Sequence, residues 1–231
     1  MNPNFRHNVV NILYMIKGMS ESHLAQVQEG RFQDSDNRMQ HAEEILKKAR
    51  LQAEQALQIT KRIGEVFAAR EQDQSFSSRA CLQDIWRKVR HLLDREFAPH
   101  GIEIIERIPE DFPPLKCRPE ELREILYCLA KNSFQAMNSE GKFVIRAQIG
   151  FNVREESFAM IGLSDSGPGI PSQKMKNLFR PFFTTKGPEE GNGLGLYLVK
   201  ELVSKNNGSI TASSFEGCGA TFSLNFSLDR K

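Results

Sequence analysis

A chain of 231 residues with 39% apolar side chains can form one or two cored domains. Its net charge of +2, with bases and acids interleaved, gives no basis for a nucleic-acid partner or an acidic membrane surface. No window reaches the ~18 to 20 apolar residues of a membrane-spanning helix and no signal-peptide pattern opens the chain, so it is expected to be soluble, without direct membrane insertion.

Residues from Pro3 to Arg70 contain no internal proline and little glycine, and they predict two helices broken near Gly30 to Asn37. In the second, Ala42, Leu46, Ala49, Ala53, Ala56, Thr60, Ile63 and Phe67 recur in steps of four and three, a heptad seam of small residues suited to close antiparallel packing. Val9, Leu13, Ile16, Leu24 and Val27 offer the first helix's share of that core. A lone two-helix hairpin buries little, so residues 1–72 are expected to form an all-α hairpin that completes a four-helix bundle by homodimerisation. The polar stretch EQDQSFSS marks a linker, placed at residues 73–80.

Residues 81–231 read as an α+β domain with helices on one face of a mixed sheet. A helix is expected from Leu82 to Phe97, a strand at GIEIIERI, a Pro-broken turn at PEDFPP, and a helix from Pro119 to Asn138 with proline in its first turn. Strands follow at Lys142 to Phe151 and Ser157 to Leu163. After a glycine-rich stretch come a helix over Leu194 to Lys205 and strands at Ser209 to Ser213 and Ala220 to Phe226. Cys81, Cys117, Cys128 and Cys218 lack metal-type or redox-type spacing and are read as reduced thiols, which suits a cytoplasmic protein.

Between Asp165 and Leu196, DSGPGI is followed by FRPFFTTK and then GNGLGL. Glycines let backbone approach a ligand closely and adopt positive φ, so two such turns around an aromatic loop suit a nucleotide triphosphate. Asp165 ends the apolar run FAMIGL, which puts a carboxylate at a strand exit, and Asn132 lies within an otherwise apolar helix face in ILYCLAKNSFQAM. This set resembles the ATP-binding domain of sensor histidine kinases, the Bergerat fold shared with gyrase, heat-shock chaperone and mismatch-repair ATPases. The resemblance implies that Asn132 coordinates the Mg2+ that bridges the ATP phosphates and that Asp165 receives the adenine amino group. It implies a turn below the base at Gly167 and Gly169. Gly191, Gly193, Leu194 and Gly195 would form the second glycine box, opening into a helix whose amides favour phosphate. Thr221, in GCGATF, matches a hydroxyl that supports the adenine pocket through water. Phe179, Pro181, Phe182 and Phe183 would be the base of an ATP lid, and Lys186 either reaches phosphate or is a solvated loop lysine.

Two departures stand out. Arg180 replaces the usual acid, and Cys128, one turn before Asn132, stands where gyrase-like ATPases carry a water-activating Glu and many histidine kinases an Asn. A thiol is neither a good general base nor a strong amide substitute, which argues against hydrolysis as the main activity.

Near the N-terminus, FRHNVVNILYMIKGMSE resembles the phosphoacceptor box of nitrogen-regulation-type kinases, and TKRIGEVFAAR its return helix. The resemblance implies that His7 accepts the ATP γ-phosphoryl group and passes it to an aspartate on a response regulator, and that Asn11 positions water for dephosphorylating that regulator. Asn11 is one helical turn from His7 on a face too polar for the seam, with Tyr14 and Gly18 continuing it. Asn8 replaces the acid that usually follows the histidine, so autophosphorylation is expected to be slow and the balance to favour phosphatase activity. Only six residues precede His7, and the expectation is the catalytic core of a longer protein, or a kinase sensing through another subunit. The competing expectation is a catalytically weak ATP-binding dimeric scaffold that regulates a partner by docking.

Overall fold

A computed structural model of the chain describes residues 79–98, 101–138, 140–151, 156–181, 183–184 and 193–228. The chain divides into two compact units, Met1–Ser75 and Phe76–Lys231, and the described residues all belong to the second. The expected helical hairpin, with His7, Asn8 and Asn11, lies outside them.

The described residues form α1 (Leu82–Glu96), β1 (Gly101–Arg107), α2 (Pro119–Ala136), β2 (Glu140–Phe151), β3 (Ser157–Asp165), the short α3 (Ser172–Met175), α4 (Gly195–Lys205), β4 (Ser209–Ser214) and β5 (Ala220–Ser227). The strands make one sheet in the order β1-β2-β3-β5-β4; β1 runs parallel to β2, and the other pairs are antiparallel. This is the expected α+β architecture. Ala80, the last residue of the expected linker, is buried and exchanges backbone hydrogen bonds with Leu115 (3.0 and 2.9 Å).

Period-two alternation sets which side of the sheet is covered. Phe143, Ile145 and Ala147 of β2, Ala159, Ile161 and Leu163 of β3, and Phe222, Leu224 and Phe226 of β5 are buried on one face. On α2, Leu122, Ile125, Leu126, Leu129, Ala130, Ser133 and Phe134 recur at helical spacing and supply the facing stripe. Trp86 of α1 stacks on Phe143 with ring centroids 5.8 Å apart, and Phe134 meets Phe143 and Phe97 edge-on at 5.7 and 5.3 Å. One aromatic cluster thereby fixes α1 and α2 to β2.

Helix ends follow local chemistry. α2 starts with Pro119 in its first turn, followed by Glu120 and Glu121. α4 ends in a Schellman motif: Asn207 adopts φ 54°, Gly208 N–H donates to Val203 O (2.9 Å) and Asn207 N–H to Ser204 O (3.1 Å). Glu121 accepts from Lys205 Nζ (2.5 Å) and Asn206 Nδ2 (2.7 Å), joining the start of α2 to the end of α4. Glu96 of α1 accepts from Lys131 and Tyr127 of α2. Burial works to raise the Glu96 carboxyl, but those two hydrogen bonds and the Lys131 charge outweigh it and hold the group below its ordinary value. Cys117, buried beside Glu121, is pushed up to about 12, as expected of an inert reduced thiol.

Phe134→Ala should remove the centre of the aromatic cluster and destabilise this unit by about 3–5 kcal/mol. Urea unfolding followed by the fluorescence of Trp86, the only tryptophan, would show it as an earlier midpoint.

Candidate functional site

The site forms where β3 runs out. Asp165 closes that strand half-buried, and each oxygen of its carboxylate is engaged. Oδ1 accepts the backbone N–H groups of Gly167 (3.0 Å) and Ala220 (3.2 Å); Oδ2 accepts the Ser133 hydroxyl (2.9 Å). A carboxylate withdrawn from water needs such donors, and here they come from the first glycine box, from β5 and from α2.

The first glycine box is held by the β4–β5 turn. Gly169 has φ +75°, and a Cβ there would sit 2.2 Å from Phe215 O. Gly219, with φ +80°, faces the Asp165 carbonyl so closely that a Cβ would lie 1.9 Å from that oxygen. Ser214 Oγ donates to Gly219 O (2.6 Å) and accepts from Ile170 N–H (2.8 Å), while Gly217 N–H donates to Pro168 O (2.7 Å). Two backbones meet without side chains between them, and this contact carries Ala220 N–H to the carboxylate.

The second glycine box approaches the same helix one residue earlier. Gly195 opens α4, and a Cβ on it would lie 2.8 Å from Cys128 Sγ and 3.8 Å from Asn132 Nδ2. Asn132 is half-buried, with its amide nitrogen 3.9 Å from Cys128 Sγ. Gly193 has φ +65° and Leu194 is buried, so the turn places the first amides of α4 beside Asn132. Cys128 is therefore part of the site. Gly191 and Lys186 lie outside the described residues, as does Phe182; Phe179 is partly buried, next to the buried Leu178.

The structure thus brings together Asn132, Asp165, Gly167, Gly169, Gly193, Leu194 and Gly195 around the two ends of one helix face and one strand exit. It does not bring Thr221 to Asp165. Thr221 pairs in register with Ser164, their hydroxyls 2.9 Å apart, on the face opposite the one that carries Ala220, Phe222 and the helices. The hydroxyl at the carboxylate is that of Ser133, which sequence reasoning missed. Its signal was a hydroxyl immediately after Asn132 on the apolar face of the helix.

Among the described residues no group of three or more His, Cys, Asp or Glu side chains is placed to hold a metal ion. The side-chain amide of Asn132 is a group that could ligate a metal ion carried by phosphate oxygens and water.

Gly219→Ala should weaken ADP binding at least about tenfold, because the added carbon collides with the Asp165 carbonyl and carries Ala220 away from the carboxylate. Gly217→Ala has the same positive φ but nothing within 4 Å of the new carbon, so it should cost only the conformational strain of about 1–2 kcal/mol and keep ADP affinity within about threefold. Calorimetric titration of both variants checks the contrast.

The sequence profile of the family described as histidine kinase-, DNA gyrase B-, and HSP90-like ATPase matches residues 117–230. The chain is similar to the sensor histidine kinase ZraS of Escherichia coli O157:H7, 35% identical over 116 residues that make up 50% of this chain and 24% of that protein. It is also similar to the sensory histidine kinase/phosphatase NtrB of Klebsiella oxytoca, 30% identical over 125 residues, 52% of this chain and 35% of that one. The match therefore spans well under half the length of these relatives. In fold, the chain resembles the solved catalytic domain of the histidine kinase ThkA, with a TM-score of 0.56 at 22% identity, covering 65% of this chain and 94% of that one. Over residues 117–230 the chain is an ATP-binding domain of the histidine kinase-, DNA gyrase B- and HSP90-like ATPase family, of the kind that completes a histidine kinase catalytic core.

Proposed function

We propose that this chain is the core of a dimeric two-component sensor histidine kinase that transfers the γ-phosphoryl group of Mg-ATP to His7 and then to an aspartate on a response-regulator receiver domain. The observation that carries the proposal is the convergence of the two glycine boxes on consecutive residues of α2. Gly195 packs at Asn132, and the carboxylate beside Gly167 bonds Ser133. A purine held at Asp165 then directs its phosphates toward Asn132 and the start of α4, where N–H groups and an amide face anionic oxygens. Mg2+ bound with the nucleotide would spread the charge of the transferred group, and Asn132 is the residue that would hold it.

The chemistry asked of His7 is in-line attack of a neutral ring nitrogen on the γ-phosphorus: an N–P bond forms as the P–O bond to ADP breaks. Asn8 would orient the ring through its other nitrogen but cannot take up charge as a carboxylate does, which slows the step. Asn11 would position water against the phosphorylated regulator, giving a phosphatase-biased balance. Homodimerisation is assigned to the hairpin of residues 1–72, and a cytoplasmic location follows from the receiver partner. Among the described residues no helix is long and apolar enough to cross a membrane.

Hydrolysis of ATP by activated water is disfavoured by Cys128, since the position beside Gly195 and Asn132 holds a thiol in place of a general base. The same residue favours the second reading, a dimeric ATP-binding scaffold with weak catalysis that works by docking.

Incubation with γ-labelled ATP and Mg2+ decides between the two. Acid-labile label on the full chain, absent from His7→Gln, is the expected result, and Asn8→Asp should raise the labelling rate by about 10- to 100-fold. Tight nucleotide binding with no label would favour the scaffold, and no gain from Asn8→Asp would remove the proposed cause of slow transfer.

A further inference from the structure

We infer that Ser133 is the residue that sets base selectivity at this site, by positioning the Asp165 carboxylate to accept an amino group and reject a carbonyl. The inference rests on the nucleotide reading above and concerns the purine end of the same site.

Asp165 Oδ1 already accepts two backbone N–H groups, from Gly167 at 3.0 Å and Ala220 at 3.2 Å. Its capacity is taken up by the fold. Oδ2 is the oxygen left for a base, and it receives the Ser133 hydroxyl at 2.9 Å. Ser133 is 2% exposed and is the one polar side chain among the fully buried ones of the described residues, so it is held by the packing of α2. Toward an ionised carboxylate a hydroxyl can only donate, and a carboxylate oxygen has room for a second donor. The Ser133 bond therefore fixes the plane of the carboxylate and leaves one outward lone-pair direction on Oδ2. A donor such as the adenine 6-amino group fits that direction; the 6-oxo group of hypoxanthine or guanine presents lone pairs to a negative charge and is repelled.

Among the described residues the other hydroxyls at that end of β5 are engaged elsewhere, Ser214 with Gly219 O and Ile170 N–H. Ala220, whose N–H reaches Asp165, has only a methyl side chain, and the neighbouring Thr221 is committed to Ser164 on the far face of the sheet. The hydroxyl that the sequence motif suggests on the strand is supplied from the helix. Ser133 is thus a positioning residue that acts through Asp165.

The test is calorimetric titration of the whole 231-residue chain with ADP and with inosine diphosphate, whose bases differ only at the amino or oxo group and its ring proton. Wild type should prefer ADP strongly. S133A should lose about tenfold in ADP affinity, the effect of removing one charge-assisted hydrogen bond, with inosine diphosphate changed less than about twofold, so that the preference falls. S133C, which keeps a weaker donor at similar volume, should be intermediate, and S133T should restore the preference. A purely structural role for Ser133 would weaken both nucleotides equally. An unchanged ratio in S133A, or a ratio that falls in T221A instead, overturns the assignment. Absence of ADP binding by the wild-type chain would strike the nucleotide reading itself, whereas ADP binding with an S133A ratio equal to wild type strikes only the role of Ser133.

Discussion

The domain is organised around the hydrogen-bond demand of one carboxylate. Asp165 sits at a strand end, half-buried, and takes a donor from each of three separate segments: Ser133 on α2, Gly167 in the turn that follows, and Ala220 at the start of β5. Meeting that demand forces the segments together. Ala220 can reach only because Gly219 lets the β4–β5 turn lie against the Asp165 carbonyl, and the turn is kept there by Gly169 and Ser214. The glycines of the first box are thus required first by backbone packing on backbone, and the close approach of a ligand follows from the same absence of side chains.

Helix α2 turns this local arrangement into a site with two ends. Successive helical residues point about 100° apart, so Asn132 and Ser133 address different neighbours from adjacent positions. Ser133 serves the carboxylate, and Asn132 serves the turn that opens α4. The spacing between the Asp165 end and the Gly195 end is built into one rigid element, itself fixed to the sheet by Phe134 and to α4 by Glu121 with Lys205 and Asn206. Precision at the site is inherited from the core.

Much of this was legible in the sequence because strand and helix periods are strong signals. β2, β3 and β5 alternate apolar residues over several positions, and their ends fall within two residues of where the pattern placed them. Asp165 could be recognised because a carboxylate after an apolar run, followed by glycines, has few bland explanations. The role expected of Thr221 depended on strand parity, which is set by pairing and not by composition: the register with Ser164 turns it to the far face. The burial of Ala80 was hidden because its partner, Leu115, is 35 residues away, and no local pattern reports such a bridge. Ser133 escaped notice for a different reason. A small residue on an apolar helix face fits the core equally well as filler, and only the approach of Asp165 gives its hydroxyl a purpose.

The central claim is that the Asp165 carboxylate recognises an amino-bearing purine. Asp165→Asn probes it most directly: Oδ1 can still accept from Gly167 and Ala220, while an amide NH2 replaces Oδ2; the Ser133 hydroxyl can turn to accept from it, but the base amino group cannot. Donor then meets donor. Calorimetric titration of this variant with ADP should show affinity reduced by about a hundredfold or more with the fold intact by circular dichroism. Wild-type affinity for ADP in a folded Asp165→Asn chain would contradict the account.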